Sequence, residues 1–230
     1  VDTLKQRAME VHQRLLEAYG SPRWRKPLPT LDELISTILS QNTNDLNRDR
    51  AFQTLKEQFP SWESVRDAPV QEVIEAIRSA GLANQKGPRI QALLKAITKE
   101  RGDLDLTFLR GLKPDEVKGW LMQFKGVGPK TAAIVMQFSL DMPAFPVDTH
   151  IYRMSGRLAL RDPKASAEAT HDILADLFPP ETYHTVHLNL IRHGREVCHA
   201  RNPDCPHCVL QNLCAYYQDV IQGDEKFPDD

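Results

Sequence analysis

The 230-residue sequence has no apolar run approaching the ~20 residues that a membrane-spanning helix needs, and no secretory leader. Both absences point away from the membrane and the exterior, and towards an intracellular protein. Tandem repeats and low-complexity tracts are missing too, which leaves no repeat array to consider. No convincing pair of alternating strands occurs. Short alternating stretches such as 107–112 read as helix ends, so the expected class is all-α. Cysteine is absent until residue 198. Positive charge is not in excess either: the net charge is −2, which gives no global attraction for a polyanion.

The charge is nonetheless unevenly spread. Residues 84–130 hold ten Lys and Arg against five Asp and Glu, a basic stretch suited to facing phosphates, whereas residues 219–230 hold one against five and read as a solvated, disordered tail. A hydrophobic content of 41% with 26% charged residues suits a globular chain with a real core, in one large domain or two small ones. The chain begins at Val1 rather than Met, which suggests that native residues precede it.

Helical spacing covers most of the sequence. Residues 4–19 form an amphipathic stretch stopped by Gly20-Ser21-Pro22, and residues 21–29, with Arg23, Arg25 and Lys26, read as a basic linker. Thr30-x-x-Glu33 reads as a capping box ahead of the apolar stripe Leu31, Leu34, Ile35, Ile38 and Leu39. Helices are then expected at 46–59, 70–80, 88–101, briefly at 106–109, and at 114–124, 149–160, 165–177 and 182–197. Pro60, Pro69, Gly81, Gly87 and Gly102 serve as punctuation.

The chain is organised around Phe124-Lys125-Gly126-Val127-Gly128-Pro129-Lys130-Thr131-Ala132. Pro129 fits the first turn of a helix, where its missing N–H has no partner to lose. The residues after it are apolar nearly all round, hence buried. The Gly-Val-Gly turn can leave backbone N–H groups bare at a helix N-terminus, a natural anion site. Lys130 then stands at the positive end of the helix dipole, where a cation gains nothing structurally. That placement suits an amine that must shed its proton and attack. Eighteen residues later, Asp148 in Pro146-Val147-Asp148-Thr149-His150 is the natural N-cap of the next helix, and its carboxylate could equally stabilise positive charge nearby.

All four cysteines fall in Cys198-x6-Cys205-x2-Cys208-x5-Cys214. Two disulfides, a four-cysteine zinc site and a cubane iron–sulfur cluster are each compatible with four thiols in one short segment.

The helix–hairpin–helix at about 114–140, followed by Pro146-Val147-Asp148-Thr149-His150-Ile151-Tyr152-Arg153, resembles the endonuclease III branch of the helix–hairpin–helix DNA glycosylases. The resemblance runs from about 30 to 217, and the cysteine spacing matches that family's [4Fe–4S] motif. It implies a helical bundle at 31–142 and an iron–sulfur domain made of 1–30 with 143–230, the cluster loop being 198–214. Double-stranded DNA carrying a damaged pyrimidine or an abasic site would lie in a groove between the two, bound by a monomer.

The resemblance also implies roles. Lys130 would attack the sugar C1′ and Asp148 would assist base departure. Lys125, Gly126, Val127, Gly128, Thr149 and His150 would meet DNA, Gln41 would fill the space of the flipped nucleotide, and Leu82 would wedge between bases. Read without the family, Gln41 is a solvated helix end, and Gly81-Leu82 is a glycine C-cap with its hydrophobic contact. Asn42 and Ala83 depart from the family, which has a small residue and often an aromatic there. His193, His199 and His207 read as surface residues beside a site that four cysteines complete. The expected activity is a bifunctional glycosylase and abasic-site lyase. The alternatives are a monofunctional mismatch glycosylase, disfavoured because residues 34–40 hold no carboxylate, or a non-catalytic DNA-binding module.

Overall fold

The structure, a computed structural model, describes residues 2–22 and 26–221. The linker arginines Arg23 and Arg25, and most of the acidic tail, lie outside the described residues. Among the described residues, eleven α-helices follow one another: α1 Asp2–Tyr19, α2 Thr30–Ser40, α3 Asp45–Gln58, α4 Trp62–Asp67, α5 Val70–Ala76, α6 Ala83–Arg101, α7 Pro114–Met122, α8 Pro129–Phe138, α9 Thr149–Arg157, α10 Ala167–Leu177 and α11 Tyr183–Glu196. No strand occurs among the described residues, and no helix there is long and apolar enough to cross a membrane. The chain divides into two compact units, residues 26–142 and residues 1–25 with 143–230.

In the continuous unit, α2 is the central helix. Nine of its eleven residues are buried, and its stripe Leu34, Ile35, Ile38 and Leu39 is sealed completely. Each such side chain contributes about 1.5–3 kcal/mol by leaving water. Helices α3 and α8 pack on α2, and α5 packs on α6. The capping box expected at Thr30 is not formed. Pro29 occupies the cap position, and the Thr30 hydroxyl, inside the helix, accepts a bond from Ser139 Oγ at 3.1 Å. Helix α6 begins five residues before the Pro88 start expected from sequence. Gly87 is not a break but a contact point, because a Cβ there would lie 2.8 Å from Ile74 Cγ1 of α5. The six-residue α4 had no periodicity to announce it. Ser61 caps it by accepting the Ser64 N–H.

In the discontinuous unit, α1 and α9 pack on α11. Phe145 stacks on Phe178 (5.5 Å between centroids) and meets the Tyr183 ring edge-on. The extended segment that leads into Asp148 is held from both sides. His171 Nδ1 lies 2.9 Å from the Phe145 carbonyl and His187 Nδ1 3.0 Å from that of Pro146. A carbonyl only accepts, so both rings carry the proton on Nδ1.

Candidate active site and cysteine cavity

In the continuous unit the hairpin is built by aromatic packing and one glycine. Phe108, Trp120 and Phe124 form an edge-to-face ladder, and the Trp120 indole N–H donates to Glu100 at 2.6 Å. Val127 N–H donates to the Phe124 carbonyl (3.0 Å) and closes the turn. That bond removes the Val127 amide from the group expected to hold a phosphate. The Gly126 and Gly128 amides have no acceptor among the described residues. Gly126 has φ +93°, a conformation that favours glycine. Gly128 is the extended cap of α8, Pro129 opens the helix, and Lys130 follows in its first turn, exposed to solvent as Lys125 is.

Gln41 is not a freely solvated helix end. Its Nε2 donates to the Gly126 carbonyl at 3.3 Å, and its Oε1 accepts from Arg89 at 3.2 Å. The Arg89 side chain passes so close to Gly126 that a Cβ there would come within 2.4 Å of Cδ. Three segments far apart in sequence therefore meet at the hairpin. The residue after Gln41 explains itself: Asn42 has φ +53°, and asparagine is among the few side chains that tolerate that region.

Gly81 caps the short helical turn 78–80 with φ +67°, as the C-cap reading expects, and Leu82 follows it. Leu82 is left-handed (φ +49°) and 47% exposed at the start of α6. One turn further on, Lys86 is only 2% exposed, and its ammonium donates to the carbonyls of Leu39 (2.7 Å) and Ala80 (2.8 Å). Those are the last turns before Gln41 and before Leu82. Burial first, and the Arg89 charge second, bring the Lys86 pKa down to about 8. Sequence reasoning missed both Lys86 and Arg89.

In the discontinuous unit, Asp148 caps α9: its Oδ1 accepts the Ile151 N–H at 2.8 Å, and the side chain is half-buried. Thr149 is exposed. His150 is half-buried, its Nδ1 accepts from Arg153 at 3.2 Å, and Gly194 leaves room for the ring, since a Cβ there would sit 2.8 Å from His150 Cβ. Arg153 donates on to the carbonyls of Gly194 and Cys198, linking the start of α9 to the cysteine segment.

Cys198, Cys205, Cys208 and Cys214 all line one cavity, together with Arg157, Tyr216 and Tyr217. Among the described residues, no three His, Cys, Asp or Glu side chains converge as they would around a single ion. Burial raises the thiol pKa values of Cys205, Cys208 and Cys214, that of Cys208 to about 11. Arg157 donates to Cys198 Sγ (3.2 Å), and His193 Nε2 lies 3.3 Å from Cys208 Sγ. All four cysteines are half-buried, and a thiol that ligates a metal ionises as it binds the cation.

His199 and His207 are exposed, but His193 is not a surface residue. It is 1% exposed, its Nδ1 lies 2.7 Å from the Tyr19 hydroxyl, and burial brings its pKa down to about 4.

Residues 35–180 match the HhH-GPD superfamily, base excision DNA repair proteins. A protein of Arabidopsis thaliana provisionally named a DNA glycosylase is 41% identical over 165 residues, 72% of this chain and 56% of its own length. Endonuclease III of Thermotoga maritima is 32% identical over 203 residues, covering 88% of this chain and 91% of its own. Among solved structures, a trapped endonuclease III–DNA covalent intermediate superposes with a TM-score of 0.79 at 28% identity, over 94% of this chain and 98% of that one.

Proposed function

Because the chain belongs to the HhH-GPD superfamily of base excision DNA repair proteins, in its endonuclease III branch, we propose that it is a bifunctional glycosylase and abasic-site lyase acting on oxidised pyrimidines in duplex DNA. The observation that carries this reading is Lys130. A solvent-facing amine stands in the first turn of a helix whose cap is a bare Gly128, at the dipole end where structure gains nothing from a cation.

The reaction needs the target nucleotide extruded, since C1′ is unreachable within the stack. The neutral Lys130 amine attacks C1′ and the N-glycosidic bond breaks, the base leaving with its electron pair and gaining a proton. Ring opening then gives an imine between Nζ and C1′. Loss of a C2′ proton expels the 3′ phosphate by β-elimination, and water releases the lysine. Asp148, held at the head of α9 by the Ile151 N–H, stabilises the sugar cation that develops as the base departs. The Gly126 and Gly128 amides hold a backbone phosphate, Gln41 enters the vacated stack, and exposed Leu82 wedges the opposite strand. The covalent complex known for endonuclease III, a structural relative, supports a nucleophilic residue here.

The four cysteines would hold a [4Fe–4S] cluster, whose iron supplies the positive charge that buried thiolates need and ties 198–214 to the helices around it. The test is borohydride trapping on duplex containing thymine glycol. Wild-type protein should crosslink, with the adduct on Lys130, and Lys130→Gln should give neither adduct nor strand cleavage. Undiminished trapping in that variant, or an adduct on Lys125, refutes the assignment.

A further inference from the structure

His193 is buried in α11, one turn before Cys198, yet none of the DNA chemistry above uses it. Its two ring nitrogens are both engaged. Nδ1 lies 2.7 Å from the Tyr19 hydroxyl and Nε2 lies 3.3 Å from Cys208 Sγ. A neutral imidazole carries one N–H, so only one of these contacts uses a ring proton. A cysteine that ligates iron is a thiolate and only accepts. The ring proton therefore belongs on Nε2, and Nδ1 must accept from the Tyr19 O–H.

Tyr19 is well placed for that task. It closes α1, its ring meets that of His193 edge-on at 5.8 Å between centroids, and the Arg192 guanidinium lies 4.6 Å over its face. Burial raises the Tyr19 pKa and preserves the hydroxyl as a donor. Three residues from different parts of the chain thus form one directed series, Tyr19 to His193 to Cys208.

We propose that Tyr19 and His193 form a hydrogen-bond relay to the cluster, in which Tyr19 fixes the histidine tautomer and His193 Nε2–H donates to the Cys208 ligand sulfur, setting the cluster's reduction potential. The proposal rests on the [4Fe–4S] reading of the cysteine cavity. Adding an electron to the cluster places more negative charge on its sulfurs, so a hydrogen bond to sulfur strengthens on reduction. Such a bond favours the reduced form, and its loss moves the potential in the negative direction. His193 is a positioning and tuning residue, not one that touches substrate.

The experiment is redox titration of the purified holoprotein, with iron measured on the same samples. His193→Leu should change the ratio of oxidised to reduced cluster about tenfold towards oxidised at fixed potential, about 59 mV for one electron. Tyr19→Phe keeps the ring and its packing and should shift the ratio less, in the same direction. The double variant should go no further than His193→Leu alone, because both act through one bond. His193→Gln keeps an N–H near the old Nε2 position and should recover part of the shift.

A fully loaded His193→Leu protein with the wild-type potential overturns the relay. So do single shifts that add in the double variant. Where His193→Leu fails to load iron, Tyr19→Phe decides: an unchanged potential there overturns the proposal. Wild-type protein that binds no iron–sulfur cluster at all would sink the cluster reading itself, a result distinguishable from failure of the relay.

Discussion

Replacing Lys86 by methionine, which nearly keeps the volume and removes the amine, should produce a stability loss that grows with pH. The residue is 2% exposed, and its amine donates to the carbonyls of Leu39 and Ala80. Without it, two buried acceptors lose their donor, at about 1–3 kcal/mol each and so about 4 together. Against this stands relief from burying an ammonium. A lysine moved from 10.5 to about 8 carries a charge penalty of about 3 kcal/mol.

At neutral pH the two effects oppose, leaving a net loss near 1 kcal/mol, roughly the balance of the two figures above. The folded-state pKa lies below the unfolded one, so the unfolded chain binds more protons between the two values. The wild-type stabilisation from this titration is therefore complete above about 10.5 and gone below about 8. The neutral amine keeps two N–H donors for its two carbonyls. Between pH 7.5 and 9.5 the gap between wild type and Lys86→Met should widen by about 2 kcal/mol. Urea unfolding at those two pH values measures it, and parallel stability curves would refute the reasoning. Because the two carbonyls close the turns before Gln41 and Leu82, affinity for an abasic-analogue duplex should fall in the same variant.

Three further outcomes are expected. Gly126→Ala should lose about 1–3 kcal/mol, since the residue has φ +93° and a Cβ would collide with Arg89; an unchanged urea midpoint would show that the hairpin relaxes freely. Asp148→Asn should unfold within about 0.5 kcal/mol of wild type, because an amide oxygen caps the Ile151 N–H nearly as well, yet remove bases at least about a hundredfold more slowly. A destabilised Asp148→Asn with normal activity per folded molecule would mean that the cap was its whole role. Purified protein should be yellow-brown with about four iron atoms per chain, and a colourless preparation with one zinc, made without air exposure, would contradict the cluster.

The parts of the site that were legible in the sequence are those whose cause is local. A left-handed Gly126, a proline opening α8 and an aspartate capping α9 each follow from steric or hydrogen-bonding needs within a few residues. Local rules also misled. Thr30 obeys the capping-box pattern, but Pro29 takes the cap, and Pro88 resembles a helix start although five helical residues already precede it. The residues missed act on partners remote in the chain: Lys86 on a carbonyl 47 residues away, Arg89 on a side chain 48 away, His193 on a hydroxyl 174 away. No propensity reports such a partner, but the apolar period does carry a trace. Lys86 falls on the stripe of Ile90, Leu93 and Ile97, and His193 on that of Tyr183, Val186 and Leu190. At these two positions a polar side chain on a core-facing stripe meets a buried partner supplied by another part of the chain, since leaving it unpaired there is costly. At Lys86 the turns before Gln41 and Leu82 supply it, and at His193 Tyr19 and Cys208 do.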